Sequence, residues 1–189
     1  MRKITDYKLA YWEKALDEVG NNVLIVSEAD DLATQNSQLV SPELYREMVS
    51  PYHKELFSFI RDRARKNGAD EIYLFYHTCG SMLPFADILY EEGVNILNPV
   101  QVSAKDMDSA RLKRELGSRF TFWGGGVDTQ YVLPRGTTKE VKDEVRRRID
   151  DLAPGGGFVF STVHNVQSDV PPENYMAMWE ALQEYGVYR

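Results

Sequence analysis

Apolar residues recur along this chain with two alternating periods. Over residues 5–19, Leu9, Trp12, Ala15, Leu16 and Val19 fall at the spacing of one helix face. Residues 22–26 then end in Val-Leu-Ile-Val, a short apolar run of strand type. Ser41-Pro42 opens the next helix. Serine can accept from the free amides of the first turn, and proline at the first helical position gives up no hydrogen bond. The helix is predicted to reach Asn67, with Gly68 as its stop and Pro51 as a kink or a split.

The unit then repeats. Strands are predicted at 71–76, 94–97, 120–123 and 158–163, and helices at 81–92, 105–116, 137–152 and 172–185. Gly93, Gly117 and Gly186 follow three of these helices, and Thr137 and Glu140 have the spacing of a capping box. Short apolar strands alternating with helices imply an α/β protein, a parallel sheet covered by helices. Doubly wound sheets and (β/α)8 barrels share this pattern. The nucleotide fingerprints of doubly wound sheets are missing: no G-x-G-x-x-G follows the first strand, and no P-loop occurs. Five units also fall short of the eight in a barrel. Ile25, Leu74, Ile96, Phe122 and Phe160 are the candidates for the inner face of the sheet.

Composition narrows the function classes. The 189 residues suit one domain, and 43% hydrophobic with 27% charged residues supports a packed core. A net charge of -7 argues against a general nucleic-acid binder. The basic cluster Arg146-Arg147-Arg148 is flanked by acids and reads as a solvated helix face. One cysteine permits no intrachain disulfide, which fits a reducing cytosol. No apolar run approaches a membrane span, and the N-terminus lacks a signal-peptide core. The expectation is a cytoplasmic protein with neither nucleic acid nor membrane as partner.

Polar residues collect just after each predicted strand. They are Glu28, Asp30, Asp31 and Gln35; His77, Cys79 and Gly80; Asn98, Pro99 and Gln101; Gly124-Gly125-Gly126, Asp128 and Gln130; and His164, Asn165, Gln167 and Asp169. In parallel α/β folds the C-terminal strand ends carry the active site. The sharpest signal is His77-Thr78-Cys79-Gly80. Residues i and i+2 of a strand share a face, so an imidazole and a thiolate can meet one metal ion. Zinc takes such nitrogen and sulfur ligands. His164, at the same place relative to the last strand, is the best third ligand. The alternative is that Cys79 is a buried small residue and His77 a hydrogen-bonded one. Asp30 and Asp31 can form a substrate acid pair, or Asp31 can cap the following segment. The triglycine can admit a ligand close to the backbone or make a turn. His53 reads as structural or exposed, and Trp12, Trp123 and Trp179 as core.

These pieces in this order resemble the uroporphyrinogen decarboxylase superfamily. The matching stretches are 28–35 (Glu-Ala-Asp-Asp-Leu-Ala-Thr-Gln), 39–43 (Leu-Val-Ser-Pro-Glu), 76–80 (Tyr-His-Thr-Cys-Gly) and 97–101 (Leu-Asn-Pro-Val-Gln). Two more are 122–130, from Phe122 to Gln130, and 163–174, from Val163 to Asn174. The resemblance covers roughly residues 22–186, and six motifs in register make it specific. It implies a (β/α)8 TIM barrel, of which residues 1–189 form a single incomplete domain. That domain is the C-terminal part, about five βα units, beginning near the fourth strand of the family barrel.

The resemblance is closest to the corrinoid-linked methyltransferase branch. There the H-x-C-G motif gives two zinc ligands, and a cysteine about ten residues before a P-x-E-N motif gives the third. Here His164 holds that place, ten before Asn174, which keeps a ligand but changes the site's charge. The resemblance therefore implies zinc at His77, Cys79 and His164. It also implies a corrinoid, methylcobalamin, as methyl donor or acceptor, carried by a corrinoid protein or as free cobalamin. The acceptor is a thiol or similar group. Asp31 and Asp128 are the expected catalytic acids; Asp30, Gln35, Gln101 and Gln130 are expected to bind substrate. The alternatives are a metal-free carboxy-lyase of the decarboxylase type, or a non-catalytic barrel fragment. Five strands cannot close an eight-stranded ring. The expected assembly is a homodimer, or a complex with a separate N-terminal half-barrel chain.

Overall fold

The computed structural model describes residues 1–187. Helix α1 (Arg2–Val19) leads into strand β1 (Ile25–Ala29), then α2 (Pro42–Met48), α3 (Ser50–Lys66) and β2 (Tyr73–His77). After these come α4 (Ala86–Glu92), β3 (Ile96–Asn98), α5 (Ser109–Leu116) and β4 (Thr121–Trp123). The chain continues with α6 (Val132–Arg135), α7 (Thr138–Leu152), β5 (Phe158–Val159) and α8 (Pro172–Tyr185). All neighbouring strands pair in parallel, in the order β1-β2-β3-β4-β5. A doubly wound sheet reverses its strand order at a switch point; this sheet never does. Sequential parallel strands with helical crossovers make an arc of a (β/α)8 barrel, five units of it.

Local chemistry explains most boundaries. Ser41 caps α2 by accepting from Leu44 N at 3.1 Å. Pro51 lies in the first turn of α3, and the expected long helix splits there, at Val49. Thr137 and Glu140 close the capping box on α7. β1 lies about three residues later than expected, because its pairing with β2 carries it past the apolar run to Glu28 and Ala29. Glu28 tolerates burial there because Lys8 Nζ and Trp12 Nε1 donate to its carboxylate. β5 pairs over two residues, against six expected. It is an edge strand, and its one partner turns at Gly124 and Gly125, both at positive φ. The helix expected from Ser81 starts as a 3-10 turn at Leu83–Phe85, and the one expected from Lys105 waits for Asp108, which caps α5.

Register assigns the faces. Val26, Leu74, Tyr76, Leu97 and Phe122 are buried in the cluster between sheet and helices. Ser27, Phe75, Ile96 and Thr121 pair in register on the opposite face, where Phe75 meets Trp123 edge to face at 5.4 Å. Ile25 and Ile96 therefore lie on the inner face as expected. Leu74 and Phe122 do not, and Phe160 packs against a second cluster built by α7 and α8. Runs such as Ile-Tyr-Leu-Phe-Tyr are apolar at every position, so their phase is not written in the hydropathy. Other expectations also change. Trp179 is 49% exposed, and Arg148 turns inward to pair with Glu144 at 2.7 Å, whereas His53 is buried and hydrogen-bonded, the structural one of its two expected settings. No helix among the described residues is long and apolar enough to cross a membrane.

Candidate metal centre

All five strands end on one rim, and Asp31, His77, Cys79, Gln101, Asp128 and His164 follow those ends. His77 is the last residue of β2. Cys79 lies two further on, and its Sγ stands 3.5 Å from His77 Nε2. Thr78 between them is buried, and its Oγ1 accepts from Leu32 N at 3.0 Å. Gly80 then turns the chain at φ 85°, with its amide on Gln101 Oε1 at 2.6 Å. A Cβ at this position would collide with the backbone of Ala33 and Thr34, so the turn demands glycine.

The loop after β5 brings His164 to the same place. The ligand atoms of His77, Cys79 and His164 all lie within 4.8 Å of one another. Zinc–sulfur and zinc–nitrogen bonds of roughly 2.3 and 2.0–2.1 Å at tetrahedral angles put sulfur and nitrogen about 3.5 Å apart. The His77–Cys79 separation has that length, and with His164 within 4.8 Å this set of two nitrogens and one sulfur suits zinc in its chemistry. Asn98 at the end of β3 settles which nitrogen is free. Its Nδ2 donates to Trp123 O at 3.0 Å, so its Oδ1 faces His77 Nδ1 at 2.7 Å. Nδ1 keeps the proton, and the Nε2 lone pair faces the sulfur. Burial, and then the charge of Asp31, pushes the Cys79 thiol up. Without a cation beside it, the sulfur stays protonated at neutral pH.

A cavity of about 410 Å³ adjoins these residues, lined by Cys79 and His164 together with Gln35, Gln101 and Gln130. Gln130 is also in reach of Ser103 Oγ, at 3.4 Å. Asp31 touches the centre through its Oδ1, which accepts from Cys79 N at 3.0 Å. Asp30 does not line the cavity; its carboxylate faces His53 Nε2 at 3.1 Å. Asp128 is buried and does not line it either. Its two oxygens accept from the amides of Gln130 and Tyr131, which starts α6 and sets Gln130. The triglycine is a turn that keeps β4 and β5 together, with Gly124 N on Val159 O and Gly126 N on Ser161 O. A larger groove, about 520 Å³, lies between α6 and α7, away from the strand ends and from this donor set.

Two participants escaped sequence reading. Asn98 was visible only as one polar residue among several after a strand. His53 lies within α3, outside every polar stretch that follows a strand, and nothing in its sequence surroundings marked it.

The family model described as uroporphyrinogen decarboxylase matches residues 1–185. A curated uroporphyrinogen decarboxylase from Syntrophotalea carbinolica is 28% identical over 174 residues, 92% of this chain and 44% of that protein. Among solved structures, a methyltransferase from Methanosarcina mazei superposes with a TM-score of 0.68 at 19% identity. That match covers 97% of this chain and 48% of the other, and is a likeness of fold. The chain thus spans less than half the length of these relatives.

Proposed function

This chain belongs to the uroporphyrinogen decarboxylase family, and we propose that it works as a zinc-dependent methyltransferase, moving a methyl group between a corrinoid and a thiol or similar acceptor. The observation that carries this reading is the convergence of His77, Cys79 and His164, with His77 Nδ1 held by Asn98. Zinc on these three residues would supply a Lewis acid that keeps a bound thiol deprotonated. Cys79 would give up its proton on binding the ion. Asp31 holds the Cys79 amide, and Gln35 and Gln130 offer carboxamides to an acceptor in the adjoining cavity. The corrinoid, free or protein-bound, would approach across the open rim.

The wall opposite this arc would come from further polypeptide, a separate half-barrel chain or a second copy. The half-length match to the relatives supports this, as do apolar residues exposed at both flanks. Ile4, Tyr7 and Tyr11 are exposed on α1; Tyr175, Met176 and Trp179 are exposed on α8.

One observation favours a second reading, a metal-free carboxy-lyase: His53 holds the Asp30 carboxylate below its ordinary range against the opposing effect of burial. The test joins elemental analysis to an assay of methyl transfer from methylcobalamin to thiols. One zinc per chain, with transfer lost in Cys79→Ser, is the expected result. A metal-free protein that decarboxylates a porphyrinogen would replace it with the second reading.

A further inference from the structure

His53 stands behind the rim on α3, and its side chain is buried. Its Nε2 faces Asp30 Oδ2 at 3.1 Å, and its Nδ1 faces Tyr45 Oη at 2.8 Å. Tyr45 in turn donates to Glu92 Oε2 at 3.1 Å, and the Glu92 side chain is fully buried. Phe57 stacks on the imidazole at 5.4 Å, and Tyr76 meets it edge on at 5.9 Å. A buried imidazole between two carboxylates, one sealed in and one half-exposed at the rim, has its orientation fixed on both sides.

What it holds is the segment from Asp30 to Leu32. Three hydrogen bonds stitch that segment to the one bearing the donor set: Asp30 N to His77 O at 3.1 Å, Leu32 N to Thr78 Oγ1 at 3.0 Å, and Cys79 N to Asp31 Oδ1 at 3.0 Å. His77 and Cys79 thus take their places against a strap whose own first side chain is tied to His53. We propose that His53 is a positioning residue of the candidate centre: through Asp30 it fixes the 30–32 strap, and the strap fixes the separation of His77 and Cys79.

Burial alone would lower the imidazole's pKa; the bond to Asp30 and the nearby carboxylate of Glu92, 3.6 Å from Nδ1, outweigh it and carry His53 up to about 9. The Asp30–His53 contact is therefore an ion pair at neutral pH, stronger and more directional than a neutral hydrogen bond.

This inference rests on the metal reading above, and cobalt(II), a spectroscopic stand-in for zinc, tests the two separately. The purified protein is titrated with cobalt(II) while the thiolate-to-metal absorption band is followed, for wild type, His53→Gln, Asp30→Asn and the double variant. Wild type is expected to take up one cobalt per chain with that band. Each single variant should keep the stoichiometry and bind roughly tenfold more weakly, as changes behind a ligand shell commonly do. The double variant should be no weaker than either single one, because both break the same link. A purely structural His53 lowers the melting temperature and leaves cobalt affinity unchanged, which overturns the proposal. Additive losses overturn it too, since they would mean that Asp30 and His53 act independently. If wild type binds cobalt and the variants match it, this inference alone fails. If wild type binds none, the metal reading fails with it. Should His53→Gln not fold, Asp30→Asn, at a half-exposed side chain, carries the same comparison against Tyr45→Phe.

Discussion

Asn98 Oδ1 lies 2.7 Å from His77 Nδ1, and this one contact decides which face of the imidazole can bind a cation. The asparagine cannot flip without losing the bond from its Nδ2 to Trp123 O. The ring is therefore held in the tautomer that leaves Nε2 free beside Cys79. Removing this partner should weaken zinc binding by about 10–100-fold without abolishing it. Asn98→Ala measured by competition with a chromophoric chelator gives the number. Cys79→Ser and His77→Ala should abolish stoichiometric binding in the same assay. An Asn98→Ala protein with wild-type affinity would show that the tautomer is set elsewhere.

A second expectation concerns the turn after Cys79. Gly80 sits at φ 85° with the backbone of Ala33 and Thr34 against the space a Cβ would take. Gly80→Ala faces both a left-handed backbone and a collision with main chain, which cannot rotate away. The cost should be about 1–3 kcal/mol in unfolding experiments. Metal affinity should fall as well, because the turn sets the direction of Cys79. Unchanged stability would mean that the 33–34 loop yields easily.

The buried imidazole makes stability depend on pH in a fixed direction. His53 has an ordinary pKa of 6.5 and is raised to about 9 in the folded protein by Asp30 and Glu92, against its burial. Between these values the native state binds more protons than the unfolded one, so stability declines as pH rises. The contribution is complete below 6.5 and is lost as pH passes through about 9. A displacement of this size is worth on the order of 3 kcal/mol. The groups facing the ring are Asp30, Tyr45, Tyr76 and Glu92, and the two tyrosines are pushed upward by burial, outside this window. Urea unfolding at pH 6.5, 8 and 9.5 should show the loss in wild type and a flatter profile in His53→Gln. Equal slopes in the two proteins would remove His53 as the source.

The alternation of strands and helices was legible because turns and caps are local. Ser41, Thr137 with Glu140, and Gly93 act within a few residues of where they stand. The rim was legible for the same reason, since a parallel arrangement puts every strand end on one side. The spacing of His77-x-Cys79 suggested a shared strand face, but β2 ends at His77, and Cys79 stands beside it from the turn beyond, its amide held by Asp31. The phase of the strands was not legible, because Leu74 and Phe122 lie in runs with no polar position to mark the far face. Nor was the role of His53, whose partners Asp30 and Glu92 are 23 and 39 residues away and meet it only once α3 and α4 pack over β1 and β2. The local partners of Asp128 were hidden for a related reason: it follows a strand end as a rim acid would, and only the fold shows its two oxygens accepting from the amides of Gln130 and Tyr131 just beyond it.

The last expectation concerns the open face of the arc. β1 and β5 are edges with no further strand among the described residues, and edges with free amides and carbonyls invite pairing. Ile25, 37% exposed, shares the inner face with the half-buried Phe75 and Trp123. The terminal helices add Tyr7 at 74% exposure, Tyr11 at 56% and Trp179 at 49%. Covering each large side chain is worth roughly 1.5–3 kcal/mol, so a few of them outweigh an ordinary surface ion pair. The 189-residue chain on its own should therefore bind a hydrophobic dye and associate at micromolar concentration. Light scattering distinguishes a defined dimer, which would need the same surface on both copies, from open-ended association. Tyr11→Glu with Trp179→Glu should reduce the association, and a polypeptide bearing the remaining βα units should suppress the dye signal. A monodisperse monomer that binds no dye would mean that these residues cover their own inner face, and that no further wall is required.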